Sequence, residues 1–194
     1  MGVEVELKAH VSDHALLKKR IEALTGISSC LCELKQDTYL SPKGEDSHFR
    51  MRLEQSGHSF ESMQGTLVFT YKNKGLTDGI EVNEEVEFKT SSDQAASALH
   101  FFLSMGYEIY ITKTKRGYVY SYSVCPDLPP LTMELVEVVG LGWFIEMEFV
   151  LENPSKVEMA REKLLLVLDQ VGVGRSSVEE KYYMDMLKKR KPEA

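Results

Sequence analysis

Apolar and polar residues alternate with a period of two along much of this chain. In Phe49-Arg50-Met51-Arg52-Leu53 the arginines share one side and Phe49, Met51 and Leu53 the other. Ile109-Tyr110-Ile111-Thr112-Lys113-Thr114-Lys115 sets Lys113 and Lys115 on one side, and Ile145-Glu146-Met147-Glu148-Phe149 does the same with two glutamates. Side chains at i, i+2 and i+4 stand on one face of a strand, so each segment reads as a strand with one apolar and one charged face. Strands are expected near residues 3–10, 34–40, 48–54, 66–73, 81–89, 108–115, 117–124, 131–138 and 144–151. Helical spacing of apolar residues predicts helices near 13–24, 93–105, from 155 onward, and near 177–189. Their starts carry capping chemistry: Ser12-Asp13, Ser91 three before Gln94, and Ser155 three before Glu158.

The order of strand, helix and further strands occurs twice. Glu4-Val5-Glu6-Leu7-Lys8 opens the first unit and Glu85-Val86-Glu87-Phe88-Lys89, 81 residues on, opens the second. The expected organisation is one domain over residues 1–194, with halves at about 1–78 and 79–152 and C-terminal helices at about 153–190.

The polar face is ionised rather than merely hydrophilic. It collects Glu4, Glu6, Glu85, Glu87, Glu146 and Glu148 with Lys8, Arg50, Arg52, Lys72, Lys89, Lys113 and Lys115. Like charges two residues apart repel unless something of opposite charge lies over them. An antiparallel sheet with one face in water is the plain reading. A closed barrel of about eight strands, with charges lining a water-filled channel, is the other. There, cationic rows would hold phosphate oxygens, with bidentate contacts from arginine. Carboxylate rows would hold hard cations; Mg²⁺ uses one or two carboxylates plus substrate phosphates.

Composition narrows the classes. The 194 residues carry 43% hydrophobic and 27% charged side chains, ordinary for a globular domain. A net charge of −7 argues against nucleic-acid binding. No apolar run is long enough for a membrane span and no secretory leader is expected. Cys30, Cys32 and Cys125 form no paired motif, so a reducing, cytoplasmic setting is expected. His10, His14, His48, His58 and His100 make no metal-ligand cluster. Trp143 is expected to pack on the last helices rather than to stack on a ligand. Tyr118, Tyr120 and Tyr122 are expected in a core or wall, Glu81 and Glu84 in solvent, and Glu137 on the face opposite Glu134.

The chain resembles the CYTH family, the triphosphate tunnel metalloenzymes that include class IV adenylate cyclases and thiamine or inorganic triphosphatases. The matching segments are Glu4-x-Glu6-x-Lys8, Gln36-Asp37-Thr38-Tyr39, Phe49-Arg50-Met51-Arg52, Thr70-Tyr71-Lys72, Glu85-Val86-Glu87, Lys113-Thr114-Lys115-Arg116 and Gly140-Leu141-Gly142-Trp143-Phe144-Ile145-Glu146-Met147-Glu148, in family order. The last block looks most like the class IV cyclase branch. The resemblance implies an α+β fold: a closed antiparallel eight-stranded barrel, or tunnel, from two β-α-β-β-β repeats with outer and C-terminal helices. It implies Mg²⁺ or Mn²⁺ at Glu4, Glu6, Glu146 and Glu148, and a triphosphate cradle of Lys8, Arg50, Arg52, Lys72, Lys89, Lys113 and Lys115. Of these, Lys8, Lys113 and Lys115 are expected to serve catalysis. The implied substrate is a nucleotide or inorganic triphosphate, with ATP to cyclic AMP and pyrophosphate as the first expectation, and triphosphate hydrolysis or binding alone as alternatives. A homodimer is left open. Two positions depart from the family pattern: Lys113-x-Lys115 stands where Lys-x-Arg is usual, and Val136 where an Asp is usual, with Glu134 on the same face as a replacement ligand.

Overall fold

The computed structural model describes residues 3–47, 49–73, 76–77 and 80–190, without the side chains of 72–85. The side chains of Lys72, Glu81, Glu84 and Glu85, and all of His48, therefore lie outside the described residues. The protein is α+β. Its strands are β1 (Val3–His10), β2 (Ile27–Pro42), β3 (Phe49–Gly57), β4 (Gln64–Asn73), the two-residue β5 (Leu76–Thr77), β6 (Ile80–Ser91), β7 (Tyr107–Tyr122), β8 (Leu131–Val138) and β9 (Gly142–Leu151). Its helices are α1 (His14–Glu22), α2 (Ala95–Ser104), α3 (Val157–Gln170) and α4 (Tyr183–Lys189). The element order β1-α1-β2-β3-β4 recurs as β6-α2-β7-β8-β9.

One antiparallel sheet contains all the strands, in the order β1-β9-β8-β7-β2-β3-β4-β6-β5. β1 pairs with β6 as well as with β9, Val3 opposite Glu84 through Leu7 opposite Ile80. The alternation seen in the sequence then sorts the side chains. On the outer face, Val5, Leu7, Met133, Leu135, Ile145, Met147 and Phe149 are buried with Leu164, Val167 and Leu168 of α3 and Leu17 and Ile21 of α1. A smaller outer cluster, Leu40, Met51, Leu67 and Phe69, packs against Leu99 and Phe102 of α2. Tyr120 and Tyr122 join the first cluster, the core role expected of them.

Local chemistry corrects several expectations. The segments 108–115 and 117–124 form one strand, β7, because Gly117 does not break it. Gly117 is where β8 crosses closely: a Cβ there would lie 2.0 Å from the Leu135 carbonyl oxygen. Gly117→Ala is expected to destabilise the fold by about 1–3 kcal/mol in chemical denaturation; an unchanged midpoint would contradict this close approach. Asp13 caps α1, accepting from the Leu16 amide at 2.9 Å. Ser91 makes no side-chain cap, and the turn before α3 is capped by Asn153, which accepts from the Ser155 amide at 3.0 Å. Trp143 stacks on His14 at the start of α1, ring centroids 4.0 Å apart, and packs against the large outer cluster to which α3 contributes.

Candidate functional site: a charged cavity

Four strands turn rows of ionised residues to one side because their other faces hold the outer cores. β1 contributes Glu4, Glu6 and Lys8; β3 contributes Arg50 and Arg52; β7 contributes Lys113 and Lys115; β9 contributes Glu146 and Glu148. With Glu134 of β8, all ten line one cavity of about 260 Å³. Cross-strand register sets Glu6 opposite Glu148, Lys8 opposite Glu146, and Glu146 opposite Glu134. Lys89 is not brought there. It is exposed, opposite Val68 and two residues beyond Glu87, the last β6 side chain at the cavity wall. That position is corrected, and Lys72 lies outside the described side chains. Glu137 is exposed, on the face away from the cavity, as expected.

The deep part of the cavity is organised by carboxylates that hold its cations. Arg52 donates to both oxygens of Asp37, at 2.6 and 3.0 Å, and Lys113 lies 3.0 Å from one of them. Burial pushes the Asp37 carboxyl up, but Arg52 and Lys113 outweigh it and hold it well below the usual carboxylate range. Glu134 receives Lys35 at 2.6 Å and Lys115 at 2.9 Å. It too is held well below its ordinary range, burial being outweighed by Lys115 and Lys35. Burial lowers Lys35, with Lys115 adding like-charge repulsion, whereas Lys115 is raised because Glu134 and Glu146 together overcome its burial. Glu146 accepts from Lys115 at 2.7 Å on one oxygen and from the Tyr183 hydroxyl at 2.8 Å on the other. Nearer the rim, Arg50 donates to the Thr70 hydroxyl at 2.9 Å, which donates to Glu87 at 2.7 Å. Lys113 donates to the Tyr39 hydroxyl at 3.3 Å; burial would raise that phenol, but Lys113 together with Arg50 and Arg52 outweighs it and the phenol is lowered.

Four of these residues escaped the sequence reading as site residues. Lys35, Asp37 and Tyr39 project from β2 into the network, and Tyr183 reaches it from α4. The signal for the first three was the alternation Glu33, Lys35, Asp37, Tyr39, whose mixed signs resemble a solvated face. Nothing local marks Tyr183; only tertiary packing brings it in. It also seals an apolar cluster on the cavity side, with Val136, Val138 and Phe144, flanked by Leu141 and Met186. Val136 is 1% exposed there, so it is packed, not left beside a gap that an ion would fill.

Among the described residues, no three His, Cys, Asp or Glu side chains converge as a ready-made metal cage. The donor chemistry nonetheless fits a hard divalent cation. Glu6 and Glu148 are opposed on adjacent strands at the cavity wall, with Glu4 one step along β1. Opposed residues of this kind have Cβ atoms about 5 Å apart, and two carboxylates completed by substrate phosphate oxygens suit Mg²⁺. Glu134 does not fit that role, since both of its oxygens are already matched by lysine ammonium groups.

Comparison with known proteins places this geometry. The CYTH domain model matches residues 2–183. A protein of Methanocaldococcus jannaschii named "Putative adenylate cyclase" is 20% identical over 184 residues, covering 95% of this chain and 98% of its own. The PH1819 protein of Pyrococcus horikoshii superimposes with a TM-score of 0.74 at 23% identity, covering 96% of this chain and 99% of its own. A Hippeastrum protein, described as a "Putative adenylyl cyclase" with a dominant triphosphatase activity, superimposes with a TM-score of 0.64 at 14% identity, covering 97% of this chain and 95% of its own. At these identities the superpositions establish a shared fold, and the domain match over nearly the whole length establishes the family: the chain belongs to the CYTH family.

Proposed function

We propose that the chain is a divalent-metal-dependent enzyme acting on a triphosphate in the charged cavity, and that it converts ATP to cyclic AMP and pyrophosphate. The observation that supports this most is the gathering of lysine- and arginine-bearing strands with glutamate-bearing strands around one hollow. Members of the CYTH family act on triphosphates and generally depend on divalent metals. β1, at one end of the strand order, also pairs with β6, next to last at the other, and we read the sheet as the wall of a tunnel. No helix among the described residues is long and apolar enough to cross a membrane.

In this reading Lys8, Arg50, Arg52, Lys113 and Lys115 donate to phosphate oxygens and stabilise charge growing on the leaving pyrophosphate. Asp37 and Glu134 keep the deep cations charged and aimed. Held by Glu4, Glu6 and Glu148, Mg²⁺ or Mn²⁺ would supply a Lewis acid that polarises phosphoryl oxygens. The attacking 3′ hydroxyl must lose a proton. That loss would be made easier by polarisation of the hydroxyl at a bound divalent metal, and Tyr39 lines the cavity with its hydroxyl accepting from Lys113.

A second reading, hydrolysis of the terminal phosphate by water, has its own support. About 260 Å³ is small beside the roughly 300–1,000 Å³ of sites that enclose organic ligands, which favours the polyphosphate part of a substrate over a whole nucleotide. Incubation with ATP and Mn²⁺, followed by chromatography, separates the two. Cyclic AMP and pyrophosphate are the expected products. Orthophosphate release would favour hydrolysis, and binding without any product would leave a sensor.

A further inference from the structure

The outer face of the sheet is covered unevenly. α1 and α3 cover its β1–β9–β8 side, whereas α2 alone serves the β4–β6 side. There Tyr71 of β4 and Val86 and Phe88 of β6 are about three-fifths exposed. Phe88 stacks on Phe69 with ring centroids 4.5 Å apart, so its inner surface is packed and its outer surface is bare. With Phe102 of α2 these side chains line an apolar groove of about 500 Å³.

The helix beside this groove has the complementary defect. α2 reads Ala-Ala-Ser-Ala-Leu-His-Phe-Phe-Leu-Ser, with no charged residue, and not one of its ten residues is fully buried. Leu99 and Phe102 pack on the sheet, while Phe101 and Leu103, and Met105 just after the helix, point apolar side chains outward. Ser97, His100 and Ser104 form one narrow polar stripe, so the exposed Phe101 and Leu103 beside it are apolar surface that a solvated helix face does not call for. The molecule thus presents, side by side, a strand face that needs a helix and a helix that needs a strand face.

We propose that this face is a two-fold interface between two copies of the chain, with α2 of each copy lying against the β4–β6 face of the other. A two-fold axis matches the two surfaces reciprocally, so both defects are resolved by one contact. The area suffices. Tyr71, Val86, Phe88, Phe101, Leu103 and Met105, between 41% and 61% exposed, offer about 600 Å² of apolar surface per copy. The pair would bury about 1,200 Å², within the range of specific interfaces, and such a patch is at the upper limit of what monomers leave uncovered.

Sedimentation velocity on the full chain over a wide concentration range tests this. The expected result is twice the monomer mass, with a reversible shift on dilution. Phe101→Glu and Val86→Asp, both at exposed positions, should each weaken association about 30-fold or more while leaving the circular dichroism spectrum unchanged. Hydrogen exchange in α2 and residues 86–90 should slow as the wild-type concentration rises. A single-copy mass at every concentration overturns the proposal. So does a dimer insensitive to both substitutions, or exchange in these segments that is independent of concentration.

Discussion

Glu134→Leu is expected to destabilise the protein by about 1–3 kcal/mol in chemical denaturation, because it removes the counter-ion shared by two buried ammonium groups, leaving Lys35 to Glu33 alone and Lys115 to Glu146 alone. Glu134→Gln keeps the shape and should still lose stability, since its one amide oxygen can accept from only one lysine and it carries no charge. Both losses should appear with chelator present. That separates a counter-ion from a metal ligand, whose replacement would leave the metal-free protein unchanged and reduce only the metal affinity. The pH dependence gives a second arm. The Glu134 carboxyl is depressed in the fold, so its contribution is fully present above the unfolded value of about 4.3 and is lost as pH falls through the folded value. Glu134→Gln should therefore flatten part of the acid limb of the stability profile; the part due to Asp37, depressed in the same direction, should remain.

Glu6→Gln and Glu148→Gln are expected to have the opposite signature. Both residues are partly exposed at the cavity wall, so stability should change little. Turnover of a triphosphate under saturating Mn²⁺ should fall about 10³-fold, corresponding to loss of several kcal/mol of Lewis-acid stabilisation. Binding of tripolyphosphate without metal should be unchanged or stronger, because each substitution removes a negative charge from the cavity. Wild-type turnover in both variants would remove these residues from the metal role.

The sequence made the charged face legible wherever one sign repeats within a strand. Arg50 and Arg52, Lys113 and Lys115, and Glu146 and Glu148 all arrive where their alternation put them. It failed on β2, where Glu33, Lys35 and Asp37 mix signs and look like an ordinary wet face although each is under 8% exposed. The choice of Glu134 as an inward-facing residue was sound, since parity with Glu146 fixes its direction. Its partners were not visible, because Lys35 is 99 residues away in sequence and reaches it only through the tilt of the folded sheet. Lys89 shows the complementary limit: it shares parity with Glu87, yet the strand has already carried it past the cavity. The segments 108–115 and 117–124 read as two strands in the sequence, whereas they form one, in which the missing Cβ of Gly117 lets β8 approach.

The central claim is that the opposed carboxylate and cation rows form one receptor for a metal-complexed triphosphate. Isothermal titration of tripolyphosphate into the protein, with and without Mg²⁺, tests it most directly. The account predicts one site per chain, tighter with Mg²⁺ than without it, and markedly weakened by Arg50→Ala. The absence of binding in either condition, or binding indifferent to Arg50, would contradict it.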